Sequence, residues 1–274
     1  MPRVLKERAI EISPILTLIF NKSYQSEHVC PIYKKGKKFE AINYRPVSLT
    51  CIACKLMEHV VTSNIMAHAD RNNILNPLQH GVRKGLSCDT QMVEFVDDIT
   101  KNLDSGKQID CLIMDFSKAF DKVSHCLLVH KLGHCLLVHK LDHYGVREKT
   151  NTWIQNFLKD RKPSVVVEGV TSEYISIQSG VPQVSVLGPS LFLYYINDMP
   201  DNIRSTIRLF ADDTIMYLTI TSDVDTVHLQ EDLDKLASWE QAWMMSFHPE
   251  NVTSSQYRGR ETSLRETTYY MDTN

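Results

Sequence analysis

Apolar side chains recur at intervals of three and four residues in two segments of the chain, the spacing that lines them up along one side of a helix. The first set is Leu49, Ile52, Leu56 and Val60, and the second is Leu229, Leu233, Leu236 and Trp239. Both segments are therefore predicted to be helices. The second helix, at residues 228–243, is predicted to pack its apolar side beneath the strands that precede it.

Shorter apolar runs predict strands, and acidic residues end or interrupt them. Residues 111–114 form one run that ends at Asp115, and residues 207–218 contain two runs on either side of Asp212 and Asp213. Burying unpaired charge in such a run costs roughly several kcal/mol. Neighbouring side chains of a strand point to opposite faces, so the two carboxylates can share one site only if the backbone turns between them. The pattern predicts a hairpin with the two acids at its tip.

The composition is typical of a globular protein. Of the 274 residues, 43% are hydrophobic and 23% are charged, and this length fits one or two domains. A net charge of -3 excludes an overall basic surface. However, lysines cluster at positions 34, 35, 37 and 38, so any affinity for polyanions is predicted to be local.

The cysteines and the hydrophobic runs suggest a compartment. Seven cysteines, an odd number without the spacing of a small disulfide-rich domain, predict a reducing environment. No apolar run reaches the length needed to cross a bilayer. The protein is predicted to be intracellular, nuclear or cytoplasmic, without a membrane partner.

Asp115 and the acidic hairpin together predict a metal-dependent site. Three carboxylates from two strand ends can hold two divalent cations about 3.5–4 Å apart, an arrangement that aligns the groups of a phosphoryl transfer. Taken alone, the Asp212-Asp213 pair fits an ordinary hairpin tip better than a metal site, because Asp is common in turns. A two-metal nuclease or phosphatase would also use such carboxylates. The residue types leave these alternatives open.

Five blocks of sequence carry a resemblance to a known family. In chain order they are NYRPVSLTCIACKLMEHV, LNPLQHGVRKGLSCDTQM, DFSKAFDKV, GVPQ and FADD. Together they resemble the reverse transcriptase domain of non-LTR retrotransposons, most of all jockey-type elements, over about residues 5–252. The resemblance implies an RNA-directed DNA polymerase that uses deoxynucleotide triphosphates, a primer on an RNA or DNA template, and two Mg²⁺ ions or Mn²⁺ in their place.

The resemblance also implies a fold. It is an α+β fold of the right-hand polymerase type, with an antiparallel palm sheet that carries helices on one face. The expected order is an N-terminal helical flank at residues 1–29, fingers at 30–110 and a palm at 111–252. Residues 253–274 lack periodicity and are predicted to be disordered, and a thumb is predicted to be absent.

The matched motifs imply roles for eight residues. The strand-end acid and the two hairpin acids match catalytic metal ligands: Asp115, Asp212 and Asp213. Phe120 matches an aromatic residue that excludes a ribose 2′-hydroxyl, and Gln183 matches a residue beside the incoming nucleotide and template. The fingers cations that meet the triphosphate match Lys34, Lys35 and Arg45.

Simpler interpretations remain for the residues outside the acidic cluster. Phe120 also fits a core aromatic, and residues 34–38 also fit a solvated loop. Arg45 precedes Pro46, which favours extended backbone and also fits a surface turn.

Four departures from the family pattern predict weak activity. The family has an extra stretch before the strand at residues 31–33, and this chain lacks it. Val184 follows Gln183 where the family has glycine, and Asn251 occupies the place of a lysine. The sequence HCLLVHKL occurs at residues 125–132 and again at 134–141, a period of nine residues. Nine residues make about 2.5 helical turns, so one continuous helix would turn the two copies to opposite sides. A helix break within residues 130–136 is therefore predicted, with one copy more exposed than the other. The chain is predicted to be an RNA-directed DNA polymerase domain from a truncated or degenerate copy, and the alternative is a catalytically silent nucleic-acid-binding remnant.

Overall fold

The computed structural model describes residues 27–124, 136–159, 161–177, 179–248 and 253–258, together with Tyr269 and Met271. The strands are β1 (His28–Tyr33), β2 (Tyr44–Leu49), β3 (Gln108–Asp115), β4 (Ser164–Val167), β5 (Val170–Thr171), β6 (Thr206–Phe210), β7 (Asp213–Ile220) and β8 (Thr253–Arg258). The helices are α1 (Ile52–Arg71), α2 (Cys88–Asp104), α3 (Ala119–Lys122), α4 (Leu136–His143), α5 (Glu148–Leu158), α6 (Gly188–Ile196) and α7 (Asp223–Trp243). None of the described helices is long and apolar enough to cross a membrane.

The chain divides into two compact units whose segments alternate along the sequence. The first unit combines Met1–Ile74 with Val123–Tyr194, and the second combines Leu75–Lys122 with Tyr195–Asn274. These units do not coincide with the predicted division at residue 110, because α2 packs on β3 and so joins the second unit. The assignment of residues 30–110 to fingers and 111–252 to a palm stays a prediction.

The first unit contains a four-stranded sheet in the order β2-β1-β4-β5. The β1 and β2 strands pair antiparallel, and a short 3₁₀ helix, Ala41–Asn43, leads from the loop between them into β2. The β4 strand pairs parallel to β1. Tyr194 of α6 donates its hydroxyl to the carbonyl of Ile65 in α1, at 2.9 Å, and this buried hydrogen bond joins the two helices.

The second unit contains an antiparallel sheet in the order β6-β7-β3-β8. The β3 strand lies in the interior of this sheet, because it pairs with β7 on one side and β8 on the other. One face is covered by α2, whose Phe95 and Ile99 pack with Ile109, Cys111 and Tyr217. The α+β class with an antiparallel sheet is therefore confirmed.

The long helix α7 packs against the same sheet from another side. Its Leu229, Leu233 and Leu236 are fully buried, as the apolar stripe predicts. It contacts β7, and the ring of Trp239 lies 6.2 Å from that of Phe116, which follows β3. Because side chains alternate along β3, Phe116 does not point to the α2 face. The prediction of helices on one face is corrected by this arrangement, since α2 covers the face opposite to that of α7.

The predicted disorder of residues 253–274 is wrong for Thr253–Arg258. These residues form β8, in register with β3 from Gln108↔Arg258 to Ile113↔Thr253. The physical reason is that the open edge of β3 supplies backbone partners, and Tyr257 packs against the cluster beneath α2. Tyr269 donates its hydroxyl to the buried Asp110 of β3, at 2.6 Å.

The tandem repeat is only partly within the described residues. The first copy and the predicted break at 130–136 lie outside them, except for the start of α4 at Leu136. In the second copy, Leu137 and Leu141 are fully buried. The prediction that one copy is more exposed than the other stays a prediction.

Candidate active site

The structure brings the three predicted acids together at one end of the second sheet. Asp115 is the last residue of β3 and Asp213 is the first residue of β7, and the two are directly paired in register. Residues paired in this way have Cβ atoms about 4.5–5.5 Å apart. Asp212 precedes Asp213 in the turn between β6 and β7. The predicted convergence is confirmed, whereas the role of these residues as metal ligands stays a prediction.

The turn that carries the acids has unusual backbone geometry. Phe210 pairs with Asp213, so Ala211 and Asp212 form a two-residue loop. Ala211 has a φ of 54°, in the left-handed region that residues other than glycine seldom adopt. A positive φ at the first of two loop residues is typical of type II′ turns, whose twist matches that of the flanking strands. The turn therefore allows the adjacent carboxylates of Asp212 and Asp213 to serve one site, which a continuous strand would not allow.

Like charges gathered at the turn affect the protonation of Asp213. Partial burial raises the pKa of the Asp213 carboxyl, and the negative charges of Asp212 and then Asp115 raise that pKa further. In the part of the chain that the structure describes, no three acidic, His or Cys side chains form a ready-made metal site.

A second segment runs along the end of β3. Ser117 donates its backbone N–H to the carbonyl of Ser246 at 2.8 Å, and His248 donates its own to the carbonyl of Asp115 at 2.7 Å. The rings of Phe116 and Phe247 stack with centroids 4.3 Å apart. These contacts hold the backbone of Asp115 on the side away from β7. Asn251, at the position of the family's lysine, lies outside the described residues.

Phe120 lies in the short helix α3, five residues beyond Asp115. Lys118 enters this helix with a φ of 55°, which makes the sharp turn after the strand. The Phe120 side chain is half-buried. Its predicted contact with the sugar of a nucleotide stays a prediction.

The predicted cations and Gln183 lie together in the first unit. Arg45 is paired in register with Ile32, and Lys34 and Lys35 follow the end of β1, so all three cations belong to the same hairpin. All three are exposed. The backbone N–H of Ser48 in β2 donates to the carbonyl of Gln183 at 3.3 Å. The strand that carries Arg45 is thus hydrogen-bonded to the loop that carries Gln183.

The loop after Gln183 is held by a buried carboxylate that the sequence pattern did not single out. Glu58 of α1 is fully buried and accepts hydrogen bonds from the backbone N–H groups of Val186 at 2.7 Å and Leu187 at 3.0 Å. Ser185 accepts from the N–H of Gly188 at 2.9 Å, which caps the start of α6. The only signal in the sequence was an acid inside an apolar helical segment.

Sequence reasoning also missed the buried side-chain amide of Gln79. Gln79 lies in the LNPLQHGV segment and contacts both backbone groups of Ala211 in the acidic turn. Nothing in the local periodicity marks this residue, because its partner is 132 positions away.

Comparison with known proteins gives the family. The profile described as "Reverse transcriptase (RNA-dependent DNA polymerase)" matches residues 32–259. The chain belongs to the reverse transcriptase family. The resemblance predicted from the five sequence blocks is confirmed.

Two fly proteins are similar to this reverse transcriptase family member. The "RNA-directed DNA polymerase from mobile element jockey" of Drosophila melanogaster is 28% identical over 95% of this chain and 29% of that protein. The "Probable RNA-directed DNA polymerase from transposon BS" of the same organism is 28% identical over 85% of this chain and 26% of that protein. The chain spans less than a third of the length of these two relatives.

A solved telomerase structure shares the fold. Telomerase from Candida tropicalis, in complex with a TWJ fragment of telomeric RNA, has a TM-score of 0.58 with 10% identity, over 94% of this chain and 46% of that chain. At this level of identity the likeness shows the fold alone, and the α+β polymerase fold predicted from the sequence is confirmed.

Val184, at a position where the reverse transcriptase family has glycine, has a backbone conformation that favours glycine. Its φ is 67°, and its side chain is 62% exposed. A β-branched residue in the left-handed region is an outlier, because its side chain crowds the backbone. Glycine, which the family has at this position, adopts such angles without this crowding.

We expect Val184→Gly to stabilise the protein by about 1 kcal/mol. Relief of strain of about 1–3 kcal/mol exceeds the extra entropy of glycine in the unfolded chain, about 0.5–1 kcal/mol. Urea unfolding measures the difference. As a matched control, Val170→Gly changes a valine that is also exposed but has no positive φ, and it should destabilise the protein. Equal destabilisation by both substitutions would show that Val184 is not strained.

Proposed function

We propose that this chain carries the polymerase site of an RNA-directed DNA polymerase, which adds deoxynucleotides to the 3′-hydroxyl of a primer on an RNA or DNA template. The observation that carries the proposal is the register pairing of Asp115 with Asp213 beside Asp212. Three carboxylates converge there on a turn between short strands, within a chain of the reverse transcriptase family. The names of the fly relatives support the same activity, and the telomerase neighbour, which was solved with an RNA fragment, shares the fold.

The charge of the three carboxylates supports a pair of divalent cations as their ligand. Mutual repulsion contributes to the raised pKa of Asp213, and bound cations would offset that repulsion. Asp115, Asp212 and Asp213 would hold Mg²⁺, with Mn²⁺ as a substitute, because hard cations prefer carboxylate oxygens. When bound, such ions neutralise charge that develops on the attacking and leaving oxygens.

The remaining predicted residues supply binding and selection. Lys34, Lys35 and Arg45 are exposed cations on one hairpin and suit the triphosphate of an incoming nucleotide. Gln183, whose backbone is bonded to β2, suits a contact with the nucleotide or the template. Phe120 suits discrimination against a 2′-hydroxyl, since a bulky ring leaves no room for that group.

A catalytically silent nucleic-acid-binding remnant is the second candidate. The strained backbone at Val184, directly after Gln183, favours it. In that case the fold and its cationic hairpin persist while the loop beside Gln183 is displaced from its working position.

Primer extension separates the two candidates. The full 274-residue chain is incubated with an RNA template, an annealed DNA primer, all four deoxynucleotide triphosphates and Mg²⁺ or Mn²⁺. Metal-dependent lengthening of the primer is the expected result. Duplex binding without any nucleotide addition would leave the silent remnant, and cleavage of the template without added nucleotide would indicate a nuclease.

The titration of Asp213 tests the electrostatics of the proposed site. We expect its carboxyl to titrate above the ordinary Asp pKa of about 3.9, and Asp212→Asn to lower that pKa because one repelling charge is removed. Since the pKa is raised in the folded state, the ionised carboxyl costs stability at neutral pH, and the cost disappears as the pH falls through the raised pKa. Carboxyl NMR shifts followed through a pH titration measure both values.

Asp225 is the internal reference for this titration. Hydrogen bonds from the side chain and backbone of Thr221 lower the pKa of Asp225. Its pKa should stay unchanged in Asp212→Asn. An Asp213 pKa at or below the ordinary value would contradict the clustering of the three carboxylates.

A further inference from the structure

Gln79 reaches the acidic turn from a part of the sequence far from it. The residue is 4% exposed, and its side-chain oxygen accepts hydrogen bonds from the N–H groups of Gly81 at 2.7 Å and Ala211 at 2.8 Å. Its side-chain nitrogen donates to the carbonyl of Ala211 at 3.3 Å. One amide therefore satisfies both backbone groups of the first residue of the turn.

The backbone around Gln79 runs beside the end of β6. Leu209 donates its N–H to the carbonyl of Leu78 at 3.1 Å, and His80 donates its N–H to the carbonyl of Leu209 at 2.8 Å. These two bonds make a short parallel bridge between Gln79 and Leu209. Two residues after Leu209, at Ala211, the hydrogen bonds to this segment come from the side chain of Gln79 and not from its backbone.

The two segments approach each other closely at Gly81. A Cβ atom at this position would lie 2.3 Å from the backbone nitrogen of Ala211, far inside van der Waals contact. Glycine is therefore required where the Gln79 segment meets the turn. The approach leaves Ala211 little freedom to relax from its φ of 54°.

We propose that Gln79 is a positioning residue of the polymerase site, whose amide holds both backbone groups of Ala211 and so fixes the turn that carries Asp212 and Asp213. The inference rests on the proposed function for its kinetic consequence. Only a side chain with one acceptor and one donor on a planar group can make these bonds. Without it, the N–H and C=O of a residue with a strained backbone would lose these partners, and the turn would relax to another conformation.

Hydrogen exchange tests the structural half of this proposal without any need for activity. In Gln79→Met, a substitution of similar length, the Ala211 amide should exchange about tenfold faster relative to the amides of β3. In Gln79→Glu the exchange rate should stay close to that of the unmodified protein, because a carboxylate still accepts from the N–H of Ala211. NMR of the full chain follows each amide. Unchanged exchange at Ala211 in Gln79→Met would overturn the proposal.

Gln91 offers a matched control. It is also buried, and in the amide orientation that satisfies both groups it bonds the N–H and the carbonyl of Leu209, each at 2.8 Å. Gln91→Met therefore removes the same kind of contact from the same strand, two residues before the turn. We expect it to lower overall stability without selective acceleration at Ala211.

Steady-state primer extension tests the functional half. Gln79→Met should lower kcat about 100-fold, because carboxylates displaced by about 1 Å no longer meet the reacting groups. The KM for nucleotide should change little, since the predicted nucleotide-binding cations are elsewhere in the chain. Gln91→Met should retain both constants at a temperature where both variants are folded.

The outcomes separate this proposal from the polymerase assignment. Faster Ala211 exchange with an unchanged kcat would overturn the positioning role while leaving the polymerase function intact. If the unmodified protein extends no primer, the polymerase assignment falls. The exchange data from Gln79→Met then still decide whether the amide fixes the turn.

Discussion

Asp115→Asn is expected to lower metal-dependent primer extension by about a thousandfold or more, because several kcal/mol of charge stabilisation in the transition state would be lost. Asp115 is the one acid of the cluster that comes from outside the hairpin, and it faces Asp213 directly. Folding should be retained or slightly improved, since the substitution removes a charge that repels Asp213. Extension rates at saturating primer-template and urea unfolding of the same preparation measure the two effects.

Asp121 provides the control for this prediction. It is half-buried like Asp115 and belongs to the same sequence block, but it lies in α3 and donates its backbone N–H to Lys118 within that turn. We expect Asp121→Asn to keep most of the extension activity. A wild-type rate in Asp115→Asn, or equal losses in the two variants, would contradict the role assigned to Asp115.

Arg161→Met should destabilise the protein by about 3–5 kcal/mol, the usual cost of leaving one partner of a buried ion pair uncompensated. The Nη2 atom of Arg161 lies 2.5 Å from Oε2 of Glu27, and the two side chains are 4% and 1% exposed. The same guanidinium reaches the carbonyl of Gly180 at 3.5 Å, just before the loop of Gln183. Urea unfolding measures the loss.

A double substitution distinguishes the buried charge from lost packing. In Glu27→Leu with Arg161→Met, no unpaired charge remains in the interior, so much of the stability should return. A double variant that is as unstable as the sum of the two single variants would show that packing, and not the unpaired charge, dominates.

The acidic hairpin and the long α7 helix could be predicted because their signals are local. The apolar runs on either side of Asp212 and Asp213 mark two strands and a turn, and the spacing of Leu229, Leu233 and Leu236 marks one apolar helix side. Each pattern lies within about two helical turns or one strand, where the backbone period determines which side chains share a face.

The β8 strand could not be predicted in this way. Its sequence, TSSQYR, has no apolar alternation, and its composition resembles that of a loop. It is a strand because the edge of β3 offers unpaired backbone groups and because Tyr257 finds a place in the cluster beneath α2. Strand formation there depends on a neighbour more than 130 residues away.

The sequence alone predicted the groups of the candidate chemistry: three acids at strand ends, three cations and the polar residue Gln183. Local periodicity and the order of the family's motifs contain that information. The tertiary structure alone decided how the site is held, through Gln79 at the turn, Glu58 at the Gln183 loop and Arg161 at Glu27. The physical reason is that a buried polar side chain is tolerated only where it meets a partner, and each of these partners lies more than 120 positions away in the chain.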